Sequence, residues 1–191
     1  TLVGVCTKAN MIDEKGNIIE IPKDFAPLEE YHQIPFTLAN VERLAEPFVF
    51  EEKDGIKVHE HMGAHYYTIG QRKGLHIGGR PLPSFVIGIN TTTNTVYSGM
   101  EDTHPGLNRI ALKIQTDEMH YVNPNYQLEV GESLPCKTRI RYRQALQDCT
   151  LIRKEEGYFV LFSDLQKGIT PGQFAAFHVD RELIASGVIL H

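Results

Sequence analysis

Four cationic side chains alternate with uncharged residues between positions 136 and 143; they are Lys137, Arg139, Arg141 and Arg143. Because successive side chains of a β-strand point to opposite faces, a strand through this segment would present all four cations on one face. Neighbouring charges would repel one another at a spacing of roughly 6.6 Å, so the row needs anions opposite it. The phosphates of a nucleic acid are one candidate. The alternative is a set of carboxylates on neighbouring strands, available at Glu129, Glu132, Asp148, Glu155 and Glu156.

A second segment, residues 63–80, combines glycines with aromatic, amide and cationic side chains. Glycines let a backbone approach a ligand closely. Tyr66 and Tyr67 offer faces for stacking, and the donors for phosphates or base edges are Gln71, Arg72 and Lys73. Single-stranded RNA is recognised by this combination of stacking and cationic contacts. The alternative interpretation is a glycine-rich turn with solvated charges and one tyrosine in the core.

Thiols and imidazoles form no comparable pattern. An odd number of cysteines without a CxxC pair favours neither a disulfide framework nor a zinc ribbon. Cys136 and Cys149 have apolar, strand-like surroundings that predict buried, unreactive thiols, whereas Cys6 is either a reactive thiol or a strand residue. Three alternating histidines have no cysteine nearby to complete a four-ligand site, so we expect no metal. They are His59, His61 and His65.

The composition limits the class of protein. The 191 residues are 41% hydrophobic, which suits one or two globular domains. The net charge is −5, so any surface for a nucleic acid must be local. No apolar run approaches the length of a membrane span, and residues 1–30 show no secretory signal. We therefore expect a cytoplasmic protein with no membrane partner.

The elements that must position these residues are mostly strands. In the first half of the chain a helix is predicted over 37–46, with Leu38, Val41 and Leu44 on one face. Two hairpins are predicted, one from residues 48–50 with 56–59 and the other from residues 85–89 with 95–98. The predicted strands of this half are 17–21, 48–50, 56–59, 85–89 and 95–98.

After a break at residues 104–106, the pattern consists only of short strands at regular spacing, which predicts a small antiparallel barrel. The fold class is therefore mainly β. A small, mostly β (α+β) domain over 1–105 precedes a β-barrel domain over 106–191. The predicted barrel strands are 109–115, 134–142, 149–154, 158–162, 173–179 and 183–190.

Residues 63–75 resemble a motif of the bacterial tRNA-specific 2-thiouridylases, approximately G-x-x-Y-Y-T-[IL]-G-Q-R-K-G-L. Three further elements are similar and follow in the family's order. Residues 98–105 resemble a G…HP element, residues 137–144 resemble the K-x-R-Y-R-Q strand, and residues 170–189 resemble the closing T-P-G-Q…G-G-x-I pattern. The resemblance extends from about residue 55 to the end.

This resemblance implies a function in tRNA modification. Members of the family thiolate carbon 2 of the wobble uridine, using ATP with Mg²⁺ in an N-terminal domain and sulfur from a cysteine persulfide. A central domain and a C-terminal barrel, similar to an elongation-factor barrel, help to hold the tRNA. The sequence resembles only these last two parts and lacks the SGGVDS phosphate loop. We therefore expect a tRNA-binding portion that binds no cofactor itself and does not thiolate RNA alone.

The resemblance also suggests roles for particular residues. Gly4-Val5-Cys6 matches the first three residues of the family's G-I-C-F-I-G motif, so Cys6 is a candidate persulfide cysteine, although the next residues differ. Residues 23–58 resemble an insertion in the central domain. Tyr66 or Tyr67 is expected to stack or pack. The expected tRNA-binding residues are Gln71, Arg72, Lys73, Lys137, Arg139, Arg141 and Arg143.

Two other functions fit parts of the sequence. A protein-interaction module would dock a sulfur donor on the barrel, and its cationic row would be paired internally. A self-sufficient enzyme, such as an RNA methyltransferase, would need a glycine loop that cradles a cofactor after a strand, and the sequence offers none. The expected partners are tRNA and a cysteine desulfurase or sulfur-relay protein. DNA is not an expected partner.

Overall fold

The computed structural model describes residues 14–191, in which ten strands form two separate sheets. Cys6 lies outside the described residues. The strands are β1 (Gly16–Glu20), β2 (Ile56–His61), β3 (Ser84–Asn90), β4 (Thr95–Met100), β5 (Asn108–Tyr121), β6 (Ser133–Arg139), β7 (Gln147–Lys154), β8 (Gly157–Lys167), β9 (Phe174–Val179) and β10 (Glu182–Ile189). The α-helices are α1 (Ala26–Gln33) and α2 (Val41–Ala45). Short 3₁₀ turns occupy Leu38–Asn40, Glu52–Asp54, Ala64–Tyr66, Pro105–Leu107 and Pro124–Tyr126.

The first sheet has the strand order β2-β1-β4-β3, in which β1 and β4 run parallel and the other neighbours run antiparallel. Successive residues of β1 face opposite sides, and Ile18 and Ile19 accordingly enter different hydrophobic clusters. Both are buried, so the sheet is covered on both faces. The strand predicted over 17–21 and the hairpin of β3 with β4 are confirmed.

The hairpin predicted around residues 54–55 is wrong. Residues 48–50 form no strand, and β2 pairs with β1 instead. The Asp54 carboxylate accepts a hydrogen bond from the Glu51 backbone N–H at 2.7 Å and stabilises a 3₁₀ turn. Phe50 is buried, with its ring centroid 5.5 Å from that of Tyr97. The apolar alternation at 48–50 thus reflects aromatic packing rather than strand pairing.

The second sheet is a closed barrel with the strand order β10-β5-β8-β7-β6-β9. Every neighbouring pair is antiparallel, so the predicted barrel is confirmed. Closure pairs every strand on both sides and leaves no free sheet edge. Its interior is filled by apolar side chains, among them Leu112, Ile114, Leu151, Val160 and Phe177.

The two α-helices pack against the barrel and share its hydrophobic cluster. Tyr31 of α1 donates a hydrogen bond from its hydroxyl to the Leu44 carbonyl at 3.0 Å and accepts one from the Ile110 N–H at 2.9 Å. Tyr31 and Leu44 both join the barrel core. Residues of the 23–58 segment therefore tie the two sheets together. None of the described helices is long and apolar enough to span a membrane.

Candidate nucleic-acid interface

The four cations of residues 137–143 do not share one strand face, and this prediction is wrong. Strand β6 ends at Arg139, because the next backbone N–H, that of Ile140, donates to the Gln144 side-chain oxygen at 2.9 Å instead of to a neighbouring strand. Lys137 remains on the strand, where its ammonium pairs with Asp148 at 2.8 Å. One of the carboxylates proposed as alternative partners, Asp148, therefore does form an ion pair with a cation of the row.

Residues 140–144 form a tight turn, which we call the arginine turn. Gln144 fastens it from within, since its backbone N–H donates to the Arg141 carbonyl at 3.1 Å and its amide N–H donates to Gln166 Oε1 at 2.8 Å. Buried Ile140 anchors the turn to the barrel core. The arginine turn leaves Tyr142 92% exposed and Arg143 exposed.

Arg141 is exposed, but its guanidinium already donates hydrogen bonds to the protein backbone. Its Nη2 donates to the carbonyls of Lys167 and Gly168 at 2.7 and 2.6 Å. Partial burial lowers the pKa of Arg141. This guanidinium therefore clamps the arginine turn to the end of β8, a positioning role that the sequence spacing did not reveal.

In residues 63–80, which we call the glycine segment, Gln71 stabilises the loop instead of presenting free donors. Its side-chain oxygen accepts from the Thr68 N–H at 3.1 Å, and its amide N–H donates to the Lys73 carbonyl at 2.8 Å. The preceding Gly70 has a φ of +84°, a conformation that glycine adopts without strain. Arg72 and Lys73 follow at the exposed surface of the loop.

The two tyrosines of this segment have different environments. Tyr67 is half-buried, packs edge-on to His61 at a centroid distance of 5.3 Å and donates to the Gly74 carbonyl at 3.4 Å. Burial raises the pKa of Tyr67. Tyr66 is 61% exposed and contacts the ring of His65. Of the two, Tyr66 is therefore the one whose ring is accessible from solvent.

The glycine segment and the arginine turn meet next to β8. A Cβ placed on Gly70 would lie 3.6 Å from Arg141 Nη2, and one on Gly168 would lie 3.3 Å from the Ile69 carbonyl oxygen. The two motifs are thus adjacent in space although they are about 70 residues apart in sequence. We give the name loop–turn surface to Arg72 and Lys73 of the glycine segment, Arg139 at the end of β6, and Tyr142 and Arg143 of the arginine turn.

No carboxylate of the part of the chain that the structure describes neutralises the cations of the loop–turn surface. Within residues 14–191, none of the ion pairs involves Arg72, Lys73, Arg139 or Arg143. Sequence reasoning treated Tyr142 only as a spacer and missed Phe174, which is 65% exposed near the start of β9. An aromatic residue directly after the T-P-G-Q element was the available signal.

Among residues 14–191, the other thiols and imidazoles show no arrangement for chemistry. Cys136 and Cys149 are buried, unbridged and opposite one another on β6 and β7, with their sulfurs 3.6 Å apart. The contact with Cys136 and burial raise the pKa of the Cys149 thiol. In the part of the chain that the structure describes, no group of three or more His, Cys, Asp or Glu side chains is placed to hold a metal ion.

Comparisons with known proteins match parts of both sheets. Residues 43–100 match the tRNA methyl transferase PRC-barrel domain, and residues 112–189 match the aminomethyltransferase beta-barrel domain. The tRNA-specific 2-thiouridylase MnmA of Christiangramia forsetii is 42% identical over 177 residues, which is 92% of this chain. The chain belongs to the MnmA family. The MnmA proteins of Flavobacterium johnsoniae and Karelsulcia muelleri are 38% and 35% identical over 92% and 95% of the chain.

The chain spans 45% of the length of each of these three MnmA relatives. The glycine segment lies within the residues that match the first of these domains, and the arginine turn lies within those that match the second. The division of the chain near residue 105 and the insertion at about 23–58 stay predictions.

Proposed function

We propose that this chain is the tRNA-binding portion of a 2-thiouridylase that modifies the wobble uridine. The supporting observation is the contact of Arg141 and Gly168 with the Gly70 loop, which brings two cationic motifs from different domains onto one surface. A single polyanion such as tRNA can contact both motifs at once. ATP-dependent adenylation and sulfur transfer, for which Cys6 is the candidate persulfide cysteine, are proposed only for a whole protein acting in the cytoplasm.

Only some of the residues first expected to bind tRNA are proposed to contact its phosphates. Arg72, Lys73, Arg139 and Arg143 are the proposed phosphate contacts, because they have no carboxylate partner among residues 14–191. Lys137 already pairs with Asp148, and Arg141 and Gln71 already bond the backbone. We assign these three residues to positioning the surface. Phosphate contacts of exposed cations release counterions, so binding should weaken steeply with salt.

The test compares tRNA retention by single variants at moderate salt in a filter-binding assay. Arg143→Ala is expected to lose affinity, while Arg181→Ala is the matched control. Arg181 is exposed in the turn between β9 and β10, and the strand register places that turn at the opposite end of β6 from the arginine turn. Equal affinity of the two variants for tRNA would contradict the proposal.

A second candidate function is a module that docks a sulfur-donor protein. The observation in its favour is that two of the four cations in the predicted row, Lys137 and Arg141, are satisfied within the protein. Co-purification of a cysteine desulfurase with the chain after nuclease treatment would support this function. Loss of the desulfurase when tRNA is removed would favour the tRNA-binding function instead.

A further inference from the structure

A pocket of about 640 Å³ opens on the barrel wall beside the arginine turn. Its walls come from the end of β6, the arginine turn and the start of β9, which the pairing of Arg139 with Ala176 brings together. The side chains that matter for its chemistry are Arg139, Tyr142, Gln173 and Phe174. None of the described residues that line it is acidic.

Two aromatic rings border this pocket without being covered by the fold. Tyr142 is 92% exposed and Phe174 is 65% exposed, although both rings are large enough to stabilise a core if buried. The fold therefore does not account for their apolar area. Aromatic rings exposed beside cations are the usual platform for stacking unpaired bases, because every base presents a π-face.

The polar groups of the pocket are also incompletely satisfied. Arg139 Nε and Gln173 Oε1 are enclosed, and neither has a hydrogen-bond partner in the described structure. An unpaired buried polar atom costs free energy, so such atoms commonly mark a position where a partner binds. Rotation of the Gln173 amide would offer an acceptor or donors to the edge of a flat ligand, and the Arg139 guanidinium would offer donors to a phosphate.

We infer that this pocket holds one unpaired base of the bound tRNA, stacked between or upon Tyr142 and Phe174. The inference rests on the proposed function. The neighbouring phosphates of the same strand would then lie at Arg139 and Arg143, which have no ion-pair partners within residues 14–191. Cationic charge at the rim and the absence of acidic lining residues match a polyanion and disfavour a basic peptide.

Tryptophan fluorescence provides a direct test, because the chain contains no tryptophan. The variant Phe174→Trp carries a single indole in the pocket, and its emission should be quenched when tRNA is added and a base stacks on it. The control is Val130→Trp, which places the indole at a 55% exposed position shortly before β6 begins, away from the arginine turn. Its emission should not change.

A binding measurement complements the fluorescence. Tyr142→Leu should weaken tRNA binding about five- to a hundredfold and leave the salt dependence unchanged, because it removes a stacking face and no cation. Tyr142→Phe keeps the ring and should bind as the unmodified chain does. At 92% exposure, Tyr142 contributes little to the core, so both variants should fold.

The outcomes separate this inference from the proposed function. If the unmodified chain retains tRNA, but Phe174→Trp emission is unaffected and Tyr142→Leu binds normally, the base pocket is overturned and the proposed function stands. If the unmodified chain does not retain tRNA, both are overturned. Quenching confined to Phe174→Trp, together with weakened binding by Tyr142→Leu, supports the pocket.

Discussion

At the scale of single residues, a buried histidine explains the G…HP element. His104 has no exposed surface; its Nε2 donates to the Ile21 carbonyl at 3.1 Å, and its Nδ1 accepts from the Gly106 N–H at 3.1 Å. Only the neutral ring with its proton on Nε2 satisfies both contacts. Gly99 of β4 packs on this ring, where a Cβ would lie 2.5 Å from His104 Cγ. The sequence motif thus encodes a close contact rather than a ligand site.

The glycine of this contact should not tolerate a methyl group. Gly99→Ala is expected to destabilise the protein by about 1–3 kcal/mol, because the enclosed imidazole cannot move aside without losing its hydrogen bonds. Urea denaturation measures the change. Gly78→Ala is the control, since a Cβ there meets no atom within 4 Å. Equal stabilities of the two variants would refute the proposed contact.

The buried imidazole should also make stability depend on pH. Burial, opposed by the bond to the Ile21 carbonyl, lowers the pKa of His104 below its ordinary 6.5. The unfolded chain therefore takes up the proton first, so the contribution is complete above pH 6.5 and is lost as pH falls below it.

Unfolding free energies from pH 7.5 down to pH 5 test this linkage. His104→Asn should be less stable at pH 7.5 and should show a flatter pH profile, because it removes one titrating group. Burial also lowers the pKa of His61 and of His191, so some pH dependence should remain. A variant profile parallel to that of the unmodified chain would argue against the role of His104.

At the scale of elements, the sequence predicted the strands better than their ends. The barrel strands and the β3–β4 hairpin follow from alternating apolar residues, which reflect burial directly. The end of β6 does not, because it depends on Gln144 capturing the Ile140 N–H from outside the strand. The prediction that the four cations share one strand face was wrong for this reason, since the period-two spacing continues in the sequence after the strand has ended.

The attachment of α2 to the barrel is a second feature that no periodicity could show. Arg109 of β5 is 7% exposed and donates to the carbonyls of Ala45 and Ala111. Burial lowers the pKa of Arg109. Burying a guanidinium costs desolvation free energy. Removing this one would nevertheless destabilise the protein, because the two carbonyls that it satisfies would be left unpaired.

Arg109→Met should therefore destabilise the protein by about 1–3 kcal/mol through the unpaired carbonyls. Lys154→Met is the matched control, because Lys154 joins the same helix to the barrel through Glu42 at 2.6 Å in a partly exposed ion pair. Such pairs contribute at most about 1 kcal/mol. Thermal unfolding compares the two variants. A larger loss for Lys154→Met would contradict the importance of the buried contact.

At the scale of the whole molecule, the two sheets are joined where the functional motifs meet. The Gly168 N–H donates to the Leu107 carbonyl at 2.7 Å, and Lys167 Nζ lies 4.7 Å from the ring centroid of Phe85 in β3. These contacts and the Arg141 clamp fix the glycine segment beside the arginine turn. The sequence suggested both motifs, but their adjacency depends on long-range packing that local patterns do not encode.

The salt dependence of tRNA affinity tests the central claim, that Arg72 and Arg143 of these two motifs contact the phosphates of the same tRNA. Each lost phosphate contact should reduce the slope of log affinity against log salt by about 0.7 to 0.9. The double variant Arg72→Ala/Arg143→Ala should therefore show a slope shallower by about 1.4 to 1.8, twice the change of either single variant. A slope equal to that of the unmodified chain and of Arg181→Ala would contradict the account.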